Sequence, residues 1–452
     1  MTTSTELRDA VRRHMPAARD DLAKLVAYKS VADATQYPVE ECLQAARYVA
    51  DAFTSVGIGN MRLIDMPQGH PAVYGEYTGP PGSPTVLLYS HYDVQPPLDE
   101  SAWQSPVFEL TERNGRWYGR GAADCKGNIV MHLTALRALG SGSYPVTIKV
   151  ISEGSEEQGL DELEQFVPDN AAMLRADTIL ICDTGNFAVG VPTLTTTLRG
   201  LCNIVVTVRT LNTPMHSGMF GGPAPDALIA LITALATLHD DRGNVTIKGL
   251  DNQQKWPGVQ YDEAQFRQDA NLRDGAQLVG DGTISDMLWA RPSLTVLGID
   301  CPRVAGSAGV VQAEAAAKVS LRIPPGVQQA AAMKALKDQI TASVPWGAEV
   351  EITEVGSGSP FKAEPSGPAG ALMKEAMTEA YGRQMGTEGQ GGSIPLCNVF
   401  KETFPEAEIM LMGVEEPKSL MHAPNESVDP SEIENMALVE ALFLEKYARA
   451  RR

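Results

Sequence analysis

The chain has 452 residues, 43% of them hydrophobic and 21% charged, a balance that excludes a largely disordered protein and a length that exceeds the usual size of a single core. With 37 basic against 56 acidic residues the formal charge is −19, which repels nucleic acid and anionic membrane surfaces. Six cysteines, at 42, 125, 182, 202, 301 and 397, form no Cys-x-x-Cys pair, so neither a thiolate zinc site nor a disulfide framework is indicated. The stretch from Met1 to Lys24 carries charges throughout and has no apolar core of signal-peptide length, and no later segment approaches a membrane span. The chain therefore reads as cytoplasmic.

Apolar residues recur at helical spacing from Thr5 to Lys29 and again from Cys42 to Phe53, predicting two opening helices. Short β-rich runs follow at Ala72 to Tyr77 and Thr85 to Ser90, then a hairpin from Val107 to Tyr118 turning at Asn114-Gly115. Continuous apolarity places the run at Thr85 in the middle of a sheet. Asp124 to Leu139 is helical, Val146 to Ser152 a strand, Leu160 to Leu174 a broken helix and Thr178 to Cys182 another apolar strand, an alternation that means an α/β sheet. Ligands of such sheets gather beyond the carboxyl ends of the strands, where the polar residues after Ser90, Ser152 and Cys182 fall.

Beyond Arg199-Gly200 the pattern changes. A long β-run (Leu201 to Thr210), a Gly/Pro loop, a helix from Pro225 to His239, irregular sequence to about residue 290, and then strand, strand, helix and strand read as a separate α+β unit. It ends in the polar stretch Gly356 to Pro368. The remainder returns to helix (Ala369 to Tyr381), strand (Glu408 to Met412) and helix (Pro430 to Ala448), so residues 1–198 and 361–452 form one domain and 199–360 an inserted one.

Of seven histidines, His14, His70, His132 and His239 lack acids at strand ends and read as structural or surface residues. His91 follows the buried strand directly, and Asp93 two residues on can fix its ring tautomer. Asp124, between Gly121 and Gly127, opens a helix, where helix capping is the ordinary alternative. Glu156 and Glu157 stand side by side on a loop after a strand, an arrangement that costs energy unless solvent or cations offset it. A metal changes that balance, since one carboxylate can bind it while its neighbour accepts a proton from metal-bound water. Asp183 follows the Thr178 to Cys182 strand, with an Asx-turn as its alternative, and His422 follows the Glu408 to Met412 strand. Two imidazoles and three carboxylates on converging loops suffice for two cations with a bridging carboxylate. Such sites hold metals about 3.5–4 Å apart and clamp a bridging hydroxide.

These segments resemble, in order and spacing, the motifs of the carnosinase-type dipeptidases, within the larger dinuclear-metal family that includes acetylornithine deacetylase, succinyl-diaminopimelate desuccinylase and bacterial carboxypeptidases. The resemblance spans nearly the whole chain, and His91-Tyr92-Asp93-Val94-Gln95-Pro96 looks most like the dipeptidase branch. It implies a mixed-sheet α/β/α catalytic domain with an inserted α+β, ferredoxin-like lid and dimerisation domain. It also implies that His91 and Asp183 bind one metal, Glu157 and His422 the other, and Asp124 both, with Asp93 orienting His91 and Glu156 as general base. His216, in Met215-His216-Ser217-Gly218, resembles the histidine that reaches the partner subunit's site and stabilises an oxyanion, which implies a homodimer. Arg322, with Gly392 and Ser393, resembles the group that holds the substrate's terminal carboxylate. One departure is Glu388-Gly389-Gln390, where many dipeptidases carry Arg-Glu.

The expectation is therefore a metallopeptidase that cleaves the amide bond of dipeptides or short peptides with two divalent ions. Zinc is the leading metal and manganese and cobalt are alternatives. An N-acyl or N-carbamoyl amino-acid hydrolase would use the same metals and grip on a different acyl group. A noncatalytic binding protein would be expected to have lost a ligand or the base, and none is lost. No nucleic acid or membrane partner is expected.

Overall fold

The computed structural model describes residues 3–160 and 162–450. The chain divides into two compact units, one of Met1–Thr196, Ala363–Glu388 and Pro395–Arg452, the other of Thr197–Lys362 and Gly389–Ile394. The sequence grouped Gly389–Ile394 with the first unit; it lies with the second because the Arg199 amide donates to the Gln390 carbonyl at 3.0 Å.

The first unit is built on a mixed sheet. Its strands run in the order Gly59–Ile64, Ala72–Tyr77, Thr147–Glu153, Thr85–His91, Thr178–Cys182, Glu408–Met412 and Thr193–Leu198. The four from Thr147–Glu153 to Glu408–Met412 are parallel to one another. Their continuous apolar sequences follow from that placement, since parallel strands are covered on both faces. Leu88, Leu180 and Met410 pack into a core with the helices Ser4–Ala27, Val39–Ser55, Lys126–Leu139, Pro368–Tyr381 and Pro430–Ala450. Their neighbours Leu87, Ile179 and Ile409 are buried on the other face, as the two-residue period of a strand requires. The expected hairpin is shorter than its sequence, Thr111–Arg113 against Arg116–Tyr118. Asn114 (φ 50°) and Gly115 (φ 77°) both adopt the left-handed conformation that a two-residue turn demands.

The second unit is an antiparallel sheet in the order Ser293–Asp300, Glu314–Ile323, Gly200–Arg209, Glu349–Gly358, with the helices Ala227–Ala236 and Gln329–Ser343 packed on it. This β-α-β-β-α-β arrangement is ferredoxin-like. Alternate residues of Gly200–Arg209 are buried, so the helices cover one face. The stretch that reads as irregular before residue 290 contains a helix at Glu263–Asp269, too short for an apolar period to register. Asp262 caps it by accepting from the amides of Ala264 and Gln265. Helix Ala227–Ala236 buries Ala227, Ala230, Leu231 and Ala234 but leaves Ile229 and Ile232 half exposed, at 50% and 46%.

Candidate active site

Four chain segments beyond the carboxyl ends of the parallel strands, with the loop ahead of helix Lys126–Leu139, bring seven of the expected residues together in the first unit. His91 ends its strand and is fully buried. Its Nδ1 donates to the backbone carbonyl of Asp93 (3.1 Å), with the Asp93 carboxylate at 3.4 Å, which directs Nε2 to the opposite side. There Nε2 lies 3.0 Å from Asp124 Oδ1 and 3.0 Å from Asp183 Oδ1.

The other oxygen of Asp124, Oδ2, is 3.0 Å from His422 Nε2, which is itself 3.3 Å from Glu157 Oε2. Asp124 thus offers one oxygen to each imidazole. It does not cap the following helix, whose N-cap is Cys125, without a side-chain cap bond. Burial opposes its ionisation, but the hydrogen bonds to His422 and His91 outweigh that cost and lower its pKa. The same contacts to Asp124 and Glu157 draw His422 up to about 10. His422 occupies the left-handed region (φ 62°), a conformation unfavourable for a residue with a Cβ and found where side-chain placement has priority.

The adjacent glutamates differ. Glu157 accepts from Gln95 Nε2 at 2.7 Å besides facing His422, and burial with the Asp124 charge pushes its carboxyl up to about 7. The Glu156 carboxylate has no hydrogen-bond partner among the described residues, and burial followed by the nearby Asp183 charge holds its pKa well above the ordinary value. Asp93 braces this turn, its two oxygens accepting from the amides of Glu156 (3.3 Å) and Glu157 (3.0 Å). One aspartate therefore orients both His91 and the glutamate pair.

Two groups of candidate ligand atoms result, His91, Cys125 and Asp183 in one and Asp124, Glu157 and His422 in the other, each with its atoms within 4.8 Å of one another. The donors fit divalent cations: imidazole nitrogens and carboxylate oxygens converge, and the carboxylates crowd closely enough that burial raises the pKa of Asp183 and Glu157. Cys125, outside the expected set, has its thiol raised by burial and donates to the Cys182 carbonyl at 3.0 Å.

Support for Asp124 comes from residues that sequence reasoning did not assign. Buried Glu426 accepts from the amides of Gly121 (2.9 Å), Ala123 (3.0 Å) and Asp124 (3.1 Å), and pairs with the buried Arg120 guanidinium at 2.8 Å. Asn128 donates to Glu415 at 2.8 Å and accepts from the Val414 amide at 3.0 Å. Glu426 and Arg120 stand in the same sequence motifs as His422 and Asp124, but nothing local pairs residues 306 positions apart.

Four expected residues belong to the second unit. His216 is exposed, and its Nδ1 accepts from the Gly218 amide at 3.1 Å, leaving Nε2 to carry the proton. Arg322 lies on the Glu314–Ile323 strand between Leu201 and Ser293, without a side-chain hydrogen bond among the described residues. Ser393 has a buried, unpartnered hydroxyl, and a Cβ on neighbouring Gly392 would meet nothing within 4 Å.

Residues 87–446 match the peptidase family M20/M25/M40, and the chain belongs to that family. It is an enzyme, a metallopeptidase. Over 372 residues, 81% of this chain and 82% of the relative, it is 46% identical to a cysteinylglycine-S-conjugate dipeptidase of Corynebacterium striatum. It is 29% identical over 436 residues, 90% of each chain, to the Cys-Gly metallodipeptidase dug1 of Schizosaccharomyces pombe. Human carnosine dipeptidase 1 shares the fold, with a TM-score of 0.83 at 23% identity over 99% of both chains.

Proposed function

We propose that this protein hydrolyses dipeptides bearing a free C-terminal carboxylate, using two divalent ions, with cysteinylglycine and its S-conjugates as the leading substrates. The observation that carries the reading is the division of Asp124, one oxygen toward each histidine and each histidine accompanied by a further carboxylate. The 46% identity to a cysteinylglycine-S-conjugate dipeptidase supports the substrate class.

In this reading His91 and Asp183 hold one ion, Glu157 and His422 the other, and Asp124 both. Zinc suits the imidazole and carboxylate donors best, with manganese and cobalt as alternatives. Bound there, the ions would polarise the scissile carbonyl and lower the pKa of water. Asp93 keeps Nε2 of His91 toward the ion by accepting the hydrogen bond from Nδ1–H. Glu156 takes the proton of the attacking water and returns it to the leaving amine. A buried carboxylate of raised pKa with no competing partner suits that exchange. Arg322, with Ser393 and the Gly392 backbone, grips the terminal carboxylate.

His216 donates its Nε2 proton to the oxyanion of a partner subunit's substrate, which makes the working form a homodimer and the second unit its lid and dimerisation domain. Exposed Met219, Phe220, Ile229 and Ile232 supply apolar surface of the kind such an interface buries. Mixing a His216→Ala protein with an Asp124→Ala protein tests this, since only sites shared across subunits regain activity. The acidic composition and the absence among the described residues of a helix able to cross a membrane are consistent with work in the cytoplasm.

The decisive experiment is metal analysis with activity against a panel of dipeptides and N-acetyl, N-succinyl and N-carbamoyl amino acids. Chelation abolishes hydrolysis and metal restores it. The Glu156→Gln protein keeps its metal and loses roughly 10²–10⁴-fold in kcat. Preference for an acylated amino acid overturns the dipeptide assignment, and unchanged turnover in Glu156→Gln removes that residue from its role.

A further inference from the structure

A second guanidinium lies beside Arg322. Arg199 stands two positions before Leu201, the residue opposite Arg322, and burial, with the nearby Arg322 charge adding to it, pulls the Arg199 pKa down to about 10. Both side chains still carry a full charge at neutral pH. Arg199 Nη1 donates to the hydroxyl of Ser293, the other strand neighbour of Arg322, at 2.8 Å. Its Nη2 passes 2.9 Å from where a Cβ of residue 391 would sit, so glycine there clears its path.

This cluster is short of acceptors. Arg199 Nε and the Ser393 hydroxyl are buried without a partner, Arg322 makes no side-chain hydrogen bond, and no carboxylate pairs with either arginine among the described residues. Two like charges partly withdrawn from water repel each other and lose some hydration, a cost that an anion between them offsets. The guanidinium is not sealed in packing either. Arg199 and Ser293 form part of the wall of a cavity of about 270 Å³ within the second unit, a wall that includes neither Arg322 nor Ser393. A carboxylate, with two oxygens and four lone pairs, matches two N–H forks and a hydroxyl.

We propose that Arg199 is a substrate-binding residue that completes the carboxylate site, so that the terminal carboxylate is held between two arginines and a C-terminal amide is rejected. This rests on the assignment of Arg322 to the substrate carboxylate. It adds a residue that neither the sequence motifs nor that assignment named, and it gives Gly391 a reason to be glycine.

The test uses full-length, metal-loaded protein carrying Glu156→Gln, so that binding is read without turnover. Calorimetric titration with S-methylcysteinylglycine and with its carboxamide is carried out on this parent and on versions adding Arg199→Met or Arg199→Lys. The expected result is a loss of about 10–100-fold in affinity for the carboxylate with Arg199→Met, little change for the carboxamide, and partial recovery with Arg199→Lys. Equal weakening of acid and amide, or unchanged affinity for the acid, overturns the proposal. If the parent binds no dipeptide, the dipeptidase reading fails by itself, and N-acetylglycine, which carries the same carboxylate, is titrated with the same expectation. A parent that binds neither overturns the proposal. Should Arg199→Met lower the thermal midpoint markedly, Gly391→Ala, which blocks the guanidinium while leaving its charge, is expected to reproduce the selective loss.

Discussion

The two units meet their polar groups in opposite ways. In the first, the groups around Asp124 are held by other protein groups: Glu426 clamps three amides and Arg120, Asp93 braces His91 and the Glu156-Glu157 turn, and Gln95 holds Glu157. In the second, Arg322 and Arg199 lack a counter-charge, Ser393 lacks a partner, and a helix leaves two isoleucines half exposed. A network closed on itself keeps ligands in place before anything binds, which a metal centre needs because its donors repel one another when empty. A surface with open valences is completed by something outside the chain, in the proposed reading a substrate carboxylate or a second subunit. The difference separates preorganisation from recognition.

The largest effect should come from breaking the closed network at its centre. Asp124→Ala removes the carboxylate whose oxygens face both His91 and His422, and metal analysis after dialysis should find the ions lost, with activity down by at least about 10³-fold. Glu426→Gln leaves every expected ligand present but turns an N–H₂ toward groups that need an acceptor. Metal affinity should fall about 10–100-fold by competition with a chelator. The melting temperature should fall as well, because Arg120 loses its buried counter-charge. Unaltered metal affinity in a folded Glu426→Gln protein would show that Asp124 does not depend on the clamp.

On the open side, Ile229→Asp or Ile232→Asp should convert the proposed dimer into a monomer in sedimentation velocity while metal content stays the same. Activity should fall by about 10²-fold, the contribution of one oxyanion donor. A variant that remains dimeric places the interface elsewhere.

The smallest effect concerns Glu388, buried in the first unit, whose carboxyl burial raises to about 8 against an ordinary 4.5, with a hydrogen bond from Thr193 opposing the shift. The folded protein keeps this proton where the unfolded chain has released it. Stability therefore falls as pH rises from about 4.5 through 8, and is fully retained below 4.5. Glu388→Gln should remove that slope and be more stable at pH 8, by up to about 4 kcal/mol, but not at pH 4. Melting curves across this range decide it, and parallel curves for the two proteins would show that Glu388 ionises freely in the fold.

Much of this was legible in the sequence because it is local. Period-two and period-3.6 apolar patterns depend on neighbours a few positions apart, so the parallel strands and the long helices could be read directly. Ligand-type residues at strand ends were visible for the same reason. Helix Glu263–Asp269 was missed because seven residues carry too little periodicity. Glu426, Arg120 and Arg199 were missed because their significance lies in partners far along the chain, and an isolated charge looks the same whether it is solvated or buried.

By itself the sequence determined the long strands and helices, which acids and histidines stand at the strand ends, and the family to which the motifs point. Only the tertiary structure decided which of those side chains meet. Asp124 faces two imidazoles rather than capping its helix, and Glu157 turns to His422 while Glu156 stays unpartnered. The physical reason is that secondary structure follows from short-range sterics and burial. Which of two adjacent carboxylates meets a histidine more than 260 positions away is settled only when distant loops fold onto one end of a sheet.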